Sequence, residues 1–209
     1  NYIIFYIMKK IFIVYGHHNT DSSFNSEIRD TFIREAEKYG HSIDLVNLFN
    51  EKDQLPFYNS SFNPPPKIVL DYRKRLEQSD IMFLIGSCNN LRLNSILENW
   101  IDWVLHPKWF FSYRAIMPES KYFKNYGYTI PGAMKGKLGI VSITYGGPMI
   151  SYFNFSFFDN IPYRRIKKSV FNLGGMKTKY IRFYSVLPNM SKDTFENHMR
   201  RVKKLAMNI

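Results

Sequence analysis

The sequence predicts a doubly wound α/β domain, a sheet of five parallel strands with helices on both faces. Short β-branched runs alternate with amphipathic helical stretches, the order produced when crossover helices join parallel strands. Ile81 to Gly86 is a continuous apolar run, as expected of a strand buried on both faces near the sheet centre. With 209 residues, the chain is long enough for one sizeable core and too short for two full α/β domains.

Each element follows in turn. Lys10 to Tyr15 is the first strand, and Ile28, Phe32, Ala36 and Tyr39 recur at helical spacing before Gly40 stops the helix over 23–39. Ser42 to Leu48 is the second strand. A polar, Pro-rich loop over 59–66 leads into a helix with Val69, Tyr72 and Leu76 on its apolar positions. After the buried third strand, Leu93, Leu97, Trp100 and Val104 mark another helix, and Leu138 to Thr144 is the fourth strand. The aromatic stretch from Trp109 to Met134 shows no convincing periodicity, and insertions of this length are often functional. Pro162 opens a helix running to Leu173, which Gly174 and Gly175 stop, and Lys177 to Val186 is the fifth strand. The closing helix starts near Ser191, an N-cap residue, with Phe195, Met199, Val202 and Ala206 on one face.

Composition excludes several classes. Hydrophobic residues at 45% and charged residues at 22% are far from the signature of disorder. The net charge of +12 creates a field that attracts phosphorylated cofactors, nucleic acid or anionic lipid. Lysine, asparagine, isoleucine, phenylalanine and tyrosine are plentiful throughout, so compositional drift explains the charge better than a selected patch. The cluster Arg164, Arg165, Lys167 and Lys168 has no recognised nucleic-acid module around it and reads as a solvated helix face, so no nucleic-acid partner is expected. No run of some twenty apolar residues is present, so no transmembrane segment is expected. Cys88 is the single cysteine; it excludes an internal disulfide and favours a reducing, cytoplasmic setting. With no sequence-local base it reads as a buried thiol, and His17-His18 without a cysteine or third ligand makes a poor metal site. The apolar Asn1 to Ile7 precedes Lys9 and Lys10, the reverse of a signal peptide. Residues 1–8 are therefore read as a non-native or disordered extension, and 9–209 as the domain.

In a doubly wound sheet, ligands bind beyond the carboxyl ends of the strands. Those ends are Tyr15 to Asn25, Gly86 to Leu91 and Thr144 to Tyr152. The loop from Gly16 to Asn25 is small and polar and enters a helix, where free backbone N–H groups, the helix dipole and the hydroxyls of Ser22 and Ser23 suit a phosphate. The plainer role for Asp21 or Ser22 is to cap that helix. The loop lacks both the Walker pattern and the G-x-G-x-x-G fingerprint.

A first strand ending at His17, followed by Ser23-Phe24-Asn25, resembles the opening motif of the NAD(P)H:quinone reductase family, which has the flavodoxin-like fold. Ile96 to Val104 is similar to the helix after that family's third strand, and Lys135 to Pro148 resembles its fourth strand and Thr-Gly-Gly turn. The matches run in order from about residue 9 to residue 186. The resemblance implies a flavin, FAD or FMN, with its phosphates near His17 or His18, Ser23, Phe24 and Asn25. It implies that Thr144, Tyr145, Gly146 and Gly147 lie along the ring, with Tyr152 as the catalytic tyrosine beside it, although Tyr152 also fits an ordinary core aromatic. Glycines there let backbone approach the ring closely. Phe111 and Tyr113 match substrate-pocket positions that close over the neighbouring subunit in family homodimers; a plain interface or a loop packing would use the same aromatics.

One segment departs from the pattern. Where the family carries ring-stacking aromatics and prolines, this chain has Ser87-Cys88-Asn89-Asn90-Leu91-Arg92-Leu93-Asn94. Ser87 to Leu91 is aligned with flavin-binding residues, and Asn89-Asn90 equally suits a turn. The histidine that some members place six residues past the tyrosine is here Phe158. The resemblance thus implies hydride transfer from NADPH or NADH through the flavin to a quinone-like acceptor. The altered wall keeps open a second expectation, a flavodoxin-like ancillary or regulatory subunit with weak or lost redox activity.

Overall fold

A computed structural model describes residues 7–59, 64–152 and 161–209. In chain order the elements are β1 (Lys10–Tyr15), α1 (Phe24–Lys38), β2 (Ser42–Asn47), α2 (Lys67–Glu77), β3 (Ile81–Asn89), β4 (Arg92–Leu93) and α3 (Ser95–Val104). Then follow β5 (Phe111–Ala115), β6 (Gly127–Pro131), β7 (Leu138–Thr144), α4 (Ile161–Arg164), a π-helical segment (Arg165–Phe171), β8 (Lys177–Phe183) and α5 (Lys192–Met207). The central parallel sheet runs β2-β1-β3-β7-β8, so the strand order reverses direction between β1 and β3. That is the flavodoxin-like order, and its switch point is where a ligand crevice opens.

The sheet divides the core in two. Phe12, Val14, Met82, Leu84, Val141 and Ile143 face α2, α3 and the π segment, while Ile11, Ile13, Phe83, Ile85 and Ile140 face α1 and α5. Both faces of β1 and β3 are covered, which is why their sequences are continuous apolar runs without alternation. Two glycines set the height of α3: a Cβ on Gly16 or Gly86 would stand 2.3 Å from Leu97. Their bare backbones let Leu97 seat against the ends of β1 and β3, which brings the start of α3 up to the crevice.

Several elements differ from the sequence expectation. β3 runs on to Asn89, Asn90 and Leu91 turn with φ of 50° and 60°, and Leu93 pairs back on Cys88 as part of β4. Leu93 therefore belongs to a hairpin, and the next helix starts only after Asn94. The aromatic stretch from Trp109 to Met134 contains an antiparallel ribbon, paired from Phe111↔Pro131 to Ala115↔Gly127. The ribbon leaves no periodic signal in sequence because neither strand buries a side chain: Phe111, Ala115 and Pro131 are half-buried and Tyr113 and Tyr128 are exposed. The helix expected from Pro162 to Leu173 is α-helical only to Arg164; wider π turns then bring Ile166, Val170 and Phe171 to the core. The fifth strand ends at Phe183, because Ser185 at φ 53° turns the chain, and Val186 N–H returns to the Tyr145 carbonyl at 2.9 Å. The cap of α1 is Ser23, in place of Asp21 or Ser22. Residues 1–6, part of the 59–66 loop and Phe158 lie outside the described residues. No helix among the described residues is long and apolar enough to cross a membrane.

Candidate functional site

A cavity of about 500 Å³ opens at the carboxyl ends of β1, β3 and β7, within the size range of small-ligand pockets. His17, His18, Ser23, Phe24 and Asn25 line one end, Ser87, Cys88 and Asn89 a side, and Thr144, Tyr145 and Gly146 the other side. Three strand ends that are distant in sequence are tied together here by two asparagines. Asn25 is buried and its Nδ2 donates to Thr144 Oγ1 at 3.1 Å, joining α1 to β7. Asn94 N–H donates to the Ser87 carbonyl at 3.1 Å while its Nδ2 donates to the Gly16 carbonyl, joining β3 to β1.

The end of the cavity at α1 is built by a capping box. Ser23 Oγ accepts the Ser26 N–H at 3.1 Å, and Ser26 Oγ accepts the Ser23 N–H at 2.8 Å. Ser23 Oγ also donates to the Asn19 carbonyl at 3.1 Å, so its hydroxyl shapes the loop. Phe24 and Asn25, in the first helical turn, line the cavity, and their N–H groups have no acceptor within the helix. His17 sits beside them; burial holds its imidazole below the ordinary range, partly offset by the Asn19 backbone. An anion arriving there favours the imidazolium, so phosphate binding and protonation of His17 support one another.

The β3–β4 hairpin forms one wall of the cavity and is held by hydrogen bonds. Buried Glu98 on α3 accepts the Leu93 N–H at 3.0 Å and pairs with Arg165 at 2.8 Å. Ser87, Cys88 and Asn89 face the cavity, whereas Asn90 and Leu91 form the turn outside its lining. Burial pushes the Cys88 thiol above its usual pKa, which suits a pocket wall and not a nucleophile. Leu91 pays for its turn position: a non-glycine residue at φ 60° is strained. Leu91→Gly is expected to raise stability by about 0.5–1 kcal/mol, strain relief of about 1–2 less the added chain entropy, as a higher melting temperature.

Gly147 and Tyr152 stand next to the cavity without lining it. Tyr152 Oη accepts the Gly147 N–H at 3.1 Å, and its ring packs 4.5 Å from Tyr145, whose hydroxyl meets Tyr180 at 2.5 Å. Phe111 and Tyr113 lie elsewhere: Phe111 lines a second cavity, and Tyr113 is exposed on the β5 ribbon, its hydroxyl bonded to the Asn125 carbonyl. Phe49, Asn94, Ser95, Ile96 and Val186 also line the main cavity and were not legible as site residues. Asn94 had a usable signal, an N-cap residue type before a helix; Phe49 had none. Among the described residues, no group of three histidine, cysteine or acidic side chains is placed to hold a metal ion.

The donor set fits a phosphorylated, flat cofactor. The N–H groups at the start of α1 supply donors for a phosphate, and buried Asn94 Oδ1, without a hydrogen-bond partner among the described residues, supplies an acceptor for a ring N–H. A Cβ at Gly146 would meet nothing within 4 Å, so the backbone there borders open space.

The family model described as "Flavodoxin-like fold" matches residues 9–206. Smu.1420 from Streptococcus mutans has a similar structure, with TM-score 0.76 at 21% identity, covering 96% of this chain and 100% of that one. An NAD(P)H:quinone oxidoreductase from Methanothermobacter marburgensis is similar with TM-score 0.75 at 13% identity, covering 97% and 96%. An FMN-dependent NADH-azoreductase from Bacillus anthracis, solved with FMN, is similar with TM-score 0.70 at 15% identity, covering 96% and 99%. No curated protein matches the chain.

Proposed function

Because the chain belongs to the flavodoxin-like fold family, we propose that it is a flavin-dependent NAD(P)H oxidoreductase that reduces a quinone-like acceptor. The observation that carries this reading is the crevice at the β1–β3 switch point, where unpaired N–H donors at one end meet an open glycine edge at the other. The names of the similar quinone oxidoreductase and FMN-dependent azoreductase support it.

A flavin, when bound, supplies acceptance and delivery of the hydride; the protein binds and orients. Phe24 and Asn25 N–H would hold the phosphate, with His17 or His18 beside it. Ser87, Cys88 and Asn89 would edge the ring on one side and Thr144 to Gly146 on the other, with Gly147 behind them. Tyr152 acts by holding the Gly147 amide in place through its hydroxyl. FAD and FMN both carry the phosphate and the ring that these contacts serve, and NADH and NADPH both carry the hydride. The half-buried, protonated Cys88 is consistent with a cytoplasmic, reducing setting.

Protein reconstituted with flavin is expected to show the visible flavin spectrum and slow oxidation of NADH or NADPH with a small quinone. The hairpin wall of Ser87 to Asn89 offers no aromatic surface to the ring, which favours loose alignment and modest rates. Bound flavin with no oxidation above the free-flavin background would replace the enzyme reading with the ancillary-subunit reading.

The exposed aromatics of the β5–β6 ribbon, Tyr113, Tyr126 and Tyr128, support a homodimer in which this ribbon and Phe111 complete the neighbouring subunit's acceptor pocket. Sedimentation at micromolar concentration is expected to show a dimer. A monomer with full activity refutes the shared pocket.

A further inference from the structure

We propose that a second cavity, at the opposite end of α3 from the flavin crevice, binds small aromatic ammonium compounds, with Asp102 as the charge that selects them. The crevice touches α3 at Ser95 and Ile96 and this cavity touches it at Ile101, Asp102 and Leu105. At about 1.5 Å per residue, Ile96 and Leu105 are about 13 Å apart along the helix, so the two sites are separate. The volume is about 370 Å³, enough for a substituted ring. Buried Ile101, Leu105, Phe110 and Val170 form an apolar floor, with half-buried Phe111 at its side.

The charge selectivity comes from which polar groups at the rim are already matched. Arg165 is spent on Glu98, with Nη1 2.8 Å from Oε1 and Nη2 2.5 Å from Oε2. His106 Nδ1 lies 3.0 Å from the Pro107 carbonyl, which can only accept, so this nitrogen donates. Its Nε2 then accepts from the Tyr58 hydroxyl at 2.9 Å. Asp102 alone among these charged rim groups has no hydrogen bond or ion pair among the described residues. The neighbouring protein raises the Asp102 carboxyl by desolvation, with Arg165 and then His106 pulling the other way, while the side chain itself stands exposed at the rim. With Arg165 paired to Glu98, Asp102 is the unmatched charge among the described lining residues, so a carboxylate or phosphate ligand is disfavoured beside it. The apolar floor selects a ring and the free carboxylate selects an ammonium on a short arm.

The probes are 2-phenylethylamine, 2-phenylethanol and phenylacetate, titrated into the full chain and followed by backbone amide shifts. The amine is expected to bind about tenfold more tightly than the alcohol, and phenylacetate more weakly than either. Shifts are expected in the second half of α3 and in the π segment. Asp102→Asn, at an exposed helix position, is expected to reduce the amine to the level of the alcohol, and Ser169→Trp, which fills the mouth, to remove binding of all three. Equal binding of phenylacetate, indifference to Asp102→Asn, or shifts confined to the flavin crevice would overturn the proposal. So would no probe binding together with a dimer that Asp102→Asn dissociates, since a cation of a second copy would then be the occupant. None of these readouts uses flavin, so failure here leaves the oxidoreductase reading standing.

Discussion

The double variant Ser23→Ala, Asn25→Leu is expected to bind flavin about a hundredfold more weakly than the parent chain, each change contributing about tenfold. Asn25 is nearly inaccessible, and leucine has its size without its amide. The change leaves Thr144 Oγ1 without the partner that ties β7 to α1, and sets an apolar group where a phosphate is to lie. Ser23 acts one step earlier. Its hydroxyl accepts from Ser26 N–H, donates to the Asn19 carbonyl and lies 3.2 Å from the Tyr15 hydroxyl, so its loss unties the loop that aims the first helical turn. Cap loss also lowers fold stability by about 1 kcal/mol, which chemical denaturation without flavin measures separately. Titration of FMN and FAD against both proteins reads the binding loss. Unchanged affinity would remove the phosphate from this end of the crevice.

How much of this was legible in the sequence depends on whether the deciding contact is local. The strands β1, β3 and β7 announce themselves as continuous apolar runs buried on both faces, and the helices α1 and α5 by the helical period of their buried face. The approach of Ser23 to Asn25 toward Thr144 to Gly146 follows from the parallel order alone, since every strand ends at the same edge of the sheet. The β3–β4 hairpin was legible only as a turn at Asn89-Asn90, one residue before the turn the structure forms. Its turn places Leu91 at positive φ against local preference, and what holds it is Glu98, five residues beyond Leu93, and Arg165, far along the chain. Nothing in the spacing of Ser87 to Asn94 reveals those partners. The π turns after Arg164 and the seating of Leu97 on Gly16 and Gly86 are hidden for the same reason, because tertiary packing decides them.

Gly146→Leu is expected to abolish measurable flavin binding, a loss of about a hundredfold or more, while leaving the fold intact. The two halves of this expectation rest on one observation: a Cβ at Gly146 meets no protein atom within 4 Å, yet the residue lines the crevice. A leucine there strains no neighbour, and Gly146 is not among the glycines at positive φ, so stability without flavin should change by no more than about 0.5 kcal/mol. The side chain then projects into space that the ring and its contacts with the backbone require. Gly147→Val supplies the contrast. Its Cβ falls 3.3 Å from the Tyr152 hydroxyl, which must give by a few tenths of an ångström and so stretch its bond to the Gly147 amide, so this variant should lose stability, by about 1 kcal/mol, as well as binding. Visible absorbance after dialysis against flavin reads occupancy, and thermal melting of the flavin-free proteins reads the fold. Wild-type flavin occupancy in Gly146→Leu would mean that the ring does not lie along the Thr144 to Gly147 edge.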